Sequence, residues 1–419
     1  MGAGEPRSAS AFRRTLLLVL LPFGAAYFLS GFYRSINAVI APELVRTFAL
    51  GPAELGLLTA TYFLTFGLFQ LPMGVLLDRF GARRVQACLV ATCALGSVVF
   101  ALGDSVAALA IGRGLIGLGL AGGLMAAFKV MAVWLPRQVL PMANGCFMVF
   151  GGLGILSATR PAQAALDVMP WSGIFLAMAA VAASIAAAIW LVVPEQPEEA
   201  AARPTRIADL AQGVARIYGD RQFWRYAPVN VVFFAVGSAL QTLWAAPWLR
   251  DVAGYGRVDV GNALMAMAVA FAAGAVLGGL TAEALRRRGL HEDWTVGGAA
   301  VLCMLAHGGL MLEIPWLVPV CWVAMSLTYI VVSLSYATLT NWFAPALAGR
   351  VNGCMNTLVV TGTFLCQYAI GGAIGLFPAT AAGYAPDAYR VTFAVLIALE
   401  IATFAWFLLG RPRGQGSST

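Results

Sequence analysis

"GVLLDRFGARR" (Gly74–Arg84) joins two apolar runs, and a worn copy of it, "GLTAEALRRRG" (residues 279–289), lies 205 residues further on. Gly74 matches Gly279, Asp78 matches Glu283 and Arg83 matches Arg288. The same offset relates "APEL" (41–44) to "APWL" (246–249) and "ALGPAELG" (49–56) to "GYGRVDVG" (254–261). In the last pair Gly51, Glu54 and Gly56 face Gly256, Asp259 and Gly261. One offset serving three stretches marks the chain as two copies of one unit.

Each copy holds six runs long enough to cross about 30 Å of hydrocarbon. The first six are roughly 16–39, 54–77, 86–103, 107–133, 143–166 and 172–193. The second six are roughly 227–249, 260–284, 294–312, 316–340, 351–376 and 390–409. The 419 residues are 60% apolar and only 11% charged, against about 25% charged in a soluble domain. The expected fold is therefore an all-α integral membrane protein of twelve transmembrane helices in two parallel six-helix repeats. The N-terminal bundle covers 1–193 and the C-terminal bundle 223–419. Between them, 194–222 forms a Pro/Glu/Ala linker followed by an amphipathic helix at the membrane surface from Ala208 to about Tyr218. Two parallel repeats place a substrate site at their interface, near the midplane.

Twelve crossings separate the loops into two sets. One set carries 18 of the 26 cations, and the other carries Arg46, Arg250, Arg257 and Arg390. This asymmetry puts both termini and the central loop in the cytoplasm. The net charge of +7 does not point to nucleic acid, because it sits in short loops between apolar runs. Arg7, Arg13 and Arg14 precede a first run that is too long for a signal peptide and has no clear cleavage site, so an uncleaved first span is expected. The seven Cys all lie in apolar runs without metal or disulfide-framework spacing. No cofactor is expected.

The loop at Gly74–Val85, on this topology, resembles the signature loop of the major facilitator superfamily between spans two and three. The resemblance covers the whole chain. It implies alternating access by rocking of the two halves, with Gly74, Asp78, Arg79, Gly81 and Arg83 in a cytoplasmic latch. Glu283 and Arg287 belong to the worn copy of that latch. Bacterial inner-membrane localisation and a monomeric state follow as family defaults. A GxGxxG at Gly117, Gly119 and Gly122 lies in mid-span. It neither follows a strand nor opens a helix, so it reads as small-residue helix packing rather than a dinucleotide fingerprint. Arg113, just before it, resembles the arginine of a family pattern in span four.

The remaining cations lie inside apolar runs: Arg34, Arg113, Lys129 and Arg160. A guanidinium in mid-bilayer costs about 2.5–3.5 kcal/mol even on the lenient insertion scale, and such residues are functional by default. The spacing of Arg34 to Pro42, and of Lys129 to Trp134, resembles that of organophosphate/phosphate antiporters and the related organic-anion symporters. In those branches the span-one arginine holds the substrate's anionic group. Independently, a planar fork of donors matches a carboxylate or phosphate bidentately. The competing reading is a structural arginine bonded to helix carbonyls. Two departures narrow the resemblance. The repeat mate of Arg34 is Ala239, so the paired arginine of organophosphate antiporters is missing, and Tyr33 stands where many organic-anion symporters carry an acid.

Tyr33 and Asn37 join Arg34 and Lys129 on the expected N-terminal wall of the site. Gln241, Trp244, Tyr329, Ser333, Tyr336 and Asn356 offer a polar and aromatic C-terminal wall. Arg113, Arg160 and Glu400 are the charges that coupling could use, whether to a proton or to another ion. His307 reads as a packed neutral histidine. No nucleophile constellation or nucleotide motif supports an enzyme. The expected function is secondary active transport of a small, anionic organic solute. Two rivals remain open: a proton-coupled multidrug or metabolite exporter, and a non-transporting membrane sensor.

Overall fold

The computed structural model describes residues 9–135, 140–194, 207–344, 347–378 and 383–410. Among them the regular structure is helical, with no β-strand. Among the described residues, eight helical spans are long and apolar enough to cross a membrane, and Ala143–Ser157 and Leu317–Val332 are shorter apolar helices. In lipid this follows from the backbone: a helix satisfies its N–H and C=O groups within one segment.

The first half opens with α1 (Ala9–Ser35) and α2 (Asn37–Phe48), separated by a turn at Ile36. The first expected run therefore continues as helix to Phe48, past Pro42. Then come α3 (Pro52–Phe80), α4 (Ala82–Leu102), α5 (Val106–Leu120), α6 (Gly123–Trp134), α7 (Leu140–Ser157), α8 (Arg160–Ala165) and α9 (Trp171–Val192). The interruption between α7 and α8 precedes Pro161, whose missing N–H suits the first turn of a new helix. The surface segment appears as α10 (Ile207–Tyr218).

The second half runs through α11 (Arg221–Ala239), a π-helical turn at Leu240–Trp244, α12 (Ala245–Asp251), α13 (Arg257–Arg287), α14 (Asp293–Leu310), α15 (Leu317–Val332), α16 (Ser335–Trp342), α17 (Ala348–Gly375) and α18 (Pro386–Leu409). The turn after Ser35 and the π turn after Ala239 fall at matching places in the repeat. Each half thus loses regular α-helix at the same point of its first rod, next to Arg34 or its mate Ala239. Single π turns inside α-helices occur frequently at functional sites.

Helix packing inside the first half uses the small residues of span four. A Cβ on Gly117 would run into the Tyr62 carbonyl, and one on Gly119 into the backbone of α4 at Cys93. Thr65 Oγ1 donates to the Gly114 carbonyl at 2.8 Å, joining α3 to α5. The GxGxxG is thus a packing seam. The second half is tied at its linker end by a buried cluster. Arg225 Nη2 donates to Asp293 Oδ2 at 2.5 Å, Tyr226 Oη donates to Asp293 Oδ1 at 2.6 Å, and Arg225 Nε donates to the Phe407 carbonyl at 3.2 Å. Helices α11, α14 and α18 meet there.

The halves meet at the end opposite the basic loops. Gly56 on α3 lies against α17, where an added Cβ would be 2.8 Å from the Gln367 carbonyl oxygen. Gly371 on α17 sits against the backbone of Pro52. The repeat mate of Gly56, Gly261 on α13, contacts the opposite half in turn, with Arg160 and Gln163 of α8 beside it. Equivalent glycines of the two repeats thus pack across the same interface. At the basic end, a Cβ added to Gly74 or to its mate Gly279 would meet no heavy atom of the described residues within 4 Å.

Candidate functional site

Arg34 occupies the last turn of α1, just before the break at Ile36. The phenols of Tyr62 on α3, Tyr27 on α1 and Tyr329 on α15 lie within electrostatic reach of its guanidinium. It also lies over the Phe66 ring, 5.9 Å from the centroid. Nη2 reaches Ser30 Oγ at 3.5 Å, and the buried Nε has no acceptor among the described residues. No carboxylate pairs with Arg34 among the described residues. Tyr27 and Arg34 are seven residues apart, so they share one face of α1. Tyr329 comes from the other repeat, which places Arg34 on the seam between the halves.

The second-half wall is built around Tyr329. Its hydroxyl donates to Gln241 Oε1 at 2.8 Å, tying α15 to the π turn. Its ring lies on Gly237, where any side chain would collide with it, and packs against Phe234 (5.6 Å) and Phe271 (5.3 Å). Gln241 thus sits within the π turn, bonded to Tyr329. Trp244 is fully buried beside Gly56 and Tyr384, its Nε1 without an acceptor among the described residues. Ser333 caps α15 at the turn into α16, also with an unmet Oγ. Tyr336 and Asn356 are half-buried on α16 and α17.

The other expected residues face elsewhere. Tyr33 turns into the first half, with its hydroxyl bonded to Ser97 Oγ at 2.7 Å. Asn37 Nδ2 donates to Thr59 Oγ1 at 2.8 Å and fastens α2 to α3. Arg113 is fully buried; its Nη1 donates to the Tyr33 carbonyl at 3.1 Å, and its guanidinium lies over the Tyr62 and Phe100 rings at 5.5 and 5.8 Å. Lys129 Nζ donates to the Leu77 carbonyl at 2.8 Å, near the signature loop. Arg160 lies at the seam with Gly261. Glu400 Oε2 and His307 Nδ1 are 3.2 Å apart, both fully buried, joining α18 to α14 with the Phe393 ring edge-on to the imidazole.

At the signature loop, Gly81 takes φ 77° between α3 and α4 and donates its N–H to the Leu77 carbonyl. Glycine adopts that backbone without a Cβ penalty. Arg79 stacks on Phe80 and Arg83 on Trp190. The Asp78 side chain lies outside the described residues. In the worn copy Glu283 accepts from Arg286 and Arg287 at 2.6 and 2.8 Å, along one exposed helix end. No group of three or more metal-ligating side chains occurs among the described residues.

Tyr27, Tyr62, Phe66, Phe234 and Phe271 were not legible as site residues. Tyr27 could have been found from its seven-residue spacing to Arg34. The others reach the site only through packing between helices.

The all-helical membrane fold thus packs two repeats together, with a guanidinium on their seam that meets no carboxylate among the described residues. The family model of the Major Facilitator Superfamily matches residues 23–365, and the chain belongs to that superfamily. Among curated proteins it is 24% identical over 360 residues to the probable sulfoacetate transporter SauU of Cupriavidus necator, covering 79% of this chain and 81% of that one. It is 28% identical over 163 residues to the multidrug resistance protein Stp of Mycobacterium tuberculosis, a match covering 39% of this chain and 30% of that protein. Among solved structures, an inward-facing, unoccupied bacterial homologue of the human lysosomal transporter Spinster superposes with a TM-score of 0.79 at 18% identity. That superposition covers 94% of this chain and 97% of the other.

Proposed function

We propose that the protein moves a small organic anion across a bacterial inner membrane by alternating access, with Arg34 holding the anionic group. One observation carries this reading: Arg34 stands on the seam between the repeats with phenols around it and no carboxylate partner among the described residues. Once a bound solute excludes water, a guanidinium with no carboxylate partner among the described residues gains most from an anion that arrives with the substrate. Tyr62 and Tyr27 orient it from the first half, and Tyr329, held by Gln241, approaches from the second. Ser333, Tyr336 and Asn356 offer hydrogen bonds to the remainder of the solute.

The reading includes twelve crossings, both termini and α10 on the cytoplasmic side, and bundles at 1–193 and 223–419 that rock about the site. The close contacts at Gly56, Gly261 and Gly371, against open space at Gly74 and Gly279, fit a conformation closed outside and open to the cytoplasm. The signature loop then closes that end in the other half of the cycle, with Asp78, Arg79, Arg83, Glu283 and Arg287 as the charged groups available there. The relative named as a sulfoacetate transporter supports an anionic solute.

The test is ligand-induced thermal stabilisation of the purified protein, wild type against Arg34→Ala and Arg34→Lys. Ligand bound to the folded state alone raises stability by mass action. The expected result is stabilisation by organic anions that the Ala variant loses. Equal binding by wild type and Arg34→Ala, or stabilisation by cationic drugs alone, rejects the reading.

A further inference from the structure

The sequence sets four cations inside apolar runs, and the structure disperses them. Lys129 is on the Leu77 carbonyl. Leu77 is eleven residues beyond Phe66 along α3, about 16 Å at the rise of an α-helix. Arg160 touches Gly261, ten residues before Phe271 on α13, again about 15 Å away along the axis. Arg113 neighbours the site but is sealed behind Tyr33 and Tyr62, with no exposed surface. Among the described residues, the cation left beside Phe66 is Arg34.

The surroundings of Arg34 are otherwise aromatic. Phe66 lies under the guanidinium, and Phe234 and Phe271 flank Tyr329. Phe66, Phe234, Phe271 and Tyr336 are all partly exposed. Ring faces carry negative potential, and the second-half wall brings no cation to the repeat mate of Arg34, which is Ala239. A second anionic group on the solute would therefore be desolvated over rings, without a partner. Leaving a buried charge unpaired is costly in a dry site.

We propose that this is a single-charge site, selective for an organic monoanion with an aromatic or otherwise apolar body. The inference rests on the reading of Arg34 as the anion clamp. Arg34 takes the carboxylate or sulfonate, the Tyr62 and Tyr329 phenols bracket it, and the body lies along Phe66, Phe234 and Phe271.

The experiment measures dissociation constants for the full-length purified protein, by thermal stabilisation, against matched probes. Benzoate is compared with phthalate, benzamide and benzylamine, and butyrate with succinate, at a pH where each dicarboxylate carries two charges. Arg34→Gln is run in parallel. The expected order is benzoate and butyrate first, with phthalate and succinate weaker by about tenfold or more, as an unpaired desolvated charge requires. Benzamide and benzylamine do not bind, and Arg34→Gln loses the monoanions. Dicarboxylates that bind as tightly as their monoanions, and are lost in Arg34→Gln, overturn the single-charge site while leaving the anion clamp standing. Benzamide binding as tightly as benzoate, Arg34→Gln binding unchanged, or no binding by any of the anions overturns both. If Arg34→Gln does not fold, the charge series on the wild type decides the matter alone.

Discussion

Arg34 and Arg113 meet the same residue, Tyr62, yet in opposite settings. Arg113 stacks on the Tyr62 ring, is fully buried and spends one donor on the Tyr33 carbonyl. Arg34 interacts with the phenols of three helices across the seam of the two repeats and is partly exposed. The first setting fixes a helix packing. The second leaves a buried donor, Nε, without an acceptor among the described residues. Charge inside a membrane is thus no index of function by itself; what the neighbouring helices leave unmet is.

The largest expected effect is on Arg34. Arg34→Ala weakens anion binding by about a hundredfold or more, in line with the 2–5 kcal/mol typical of truncating one member of a buried charge pair. It leaves the ligand-free melting temperature close to wild type. A titration of the stabilising anion against both proteins checks this. A large drop in ligand-free stability with affinity intact would collapse the contrast with Arg113.

Arg113→Ala is expected to do the reverse, destabilising the protein by about 2–4 kcal/mol through an interior cavity and an orphaned Tyr33 carbonyl. Arg113→Met, which keeps most of the volume, recovers part of that loss, because removing a buried charge also removes its desolvation cost. Melting temperatures without ligand measure both. Retained stability in Arg113→Ala combined with lost anion binding would move Arg113 into the site.

The seam itself separates two glycines of equal rank in the repeat. Gly56→Ala places a methyl against backbone at Gln367 and costs about 1–3 kcal/mol or shifts the halves apart. Gly261→Ala makes ordinary contacts at 3.4 Å with side chains that can move, and stays within about 0.5 kcal/mol. Equal effects would show that both seams open together without regard to their packing. Accessibility of single cysteines placed along α3 and α13 reports the shift.

The smallest effect concerns a third arginine, one that is paired. Burial works against the Asp293 charge, but the hydrogen bonds from Tyr226 and Arg225, together with the charge of Arg225, hold its carboxyl below the usual carboxylate range. A depressed value means the native state binds its proton later than the unfolded chain. The pair's contribution is complete above about pH 4 and fades as pH falls through the lower native value. The stability gap between wild type and Asp293→Asn therefore narrows on acidification below about pH 4. A gap that widens on acidification would show that Asp293 is not held by Arg225 and Tyr226.

Much of the architecture was legible in the chain. In lipid every backbone group must be satisfied within its own segment, so runs of apolar residues report helices directly. The duplicated "GVLLDRFGARR", with Gly81 at its turn, reported the repeat, and α10 begins within one residue of the expected surface helix. The interruption before Pro161 was also visible, since proline cannot donate the bond that would continue α7.

Arg34 itself stood out in the sequence, because a guanidinium among some twenty apolar residues is an energetic anomaly wherever it points. Its surroundings were not. Tyr62 is 28 residues away and Tyr329 is 295 away, and no local periodicity relates them to Arg34. Tyr33, next to it in sequence, turns into the first half because successive helical positions rotate by about 100°, and Asn37 bonds Thr59 from α2, beyond the break at Ile36. Lys129 and Arg160 looked equivalent to Arg34 by hydropathy, yet one sits on a helix-end carbonyl and the other on the seam at Gly261. The sequence by itself determined that a few charges lie inside apolar runs and that the runs repeat at one offset. Only the tertiary structure decided which side chains surround each charge, and that Arg34 meets no carboxylate among the described residues, because partnership depends on which helix faces are brought together.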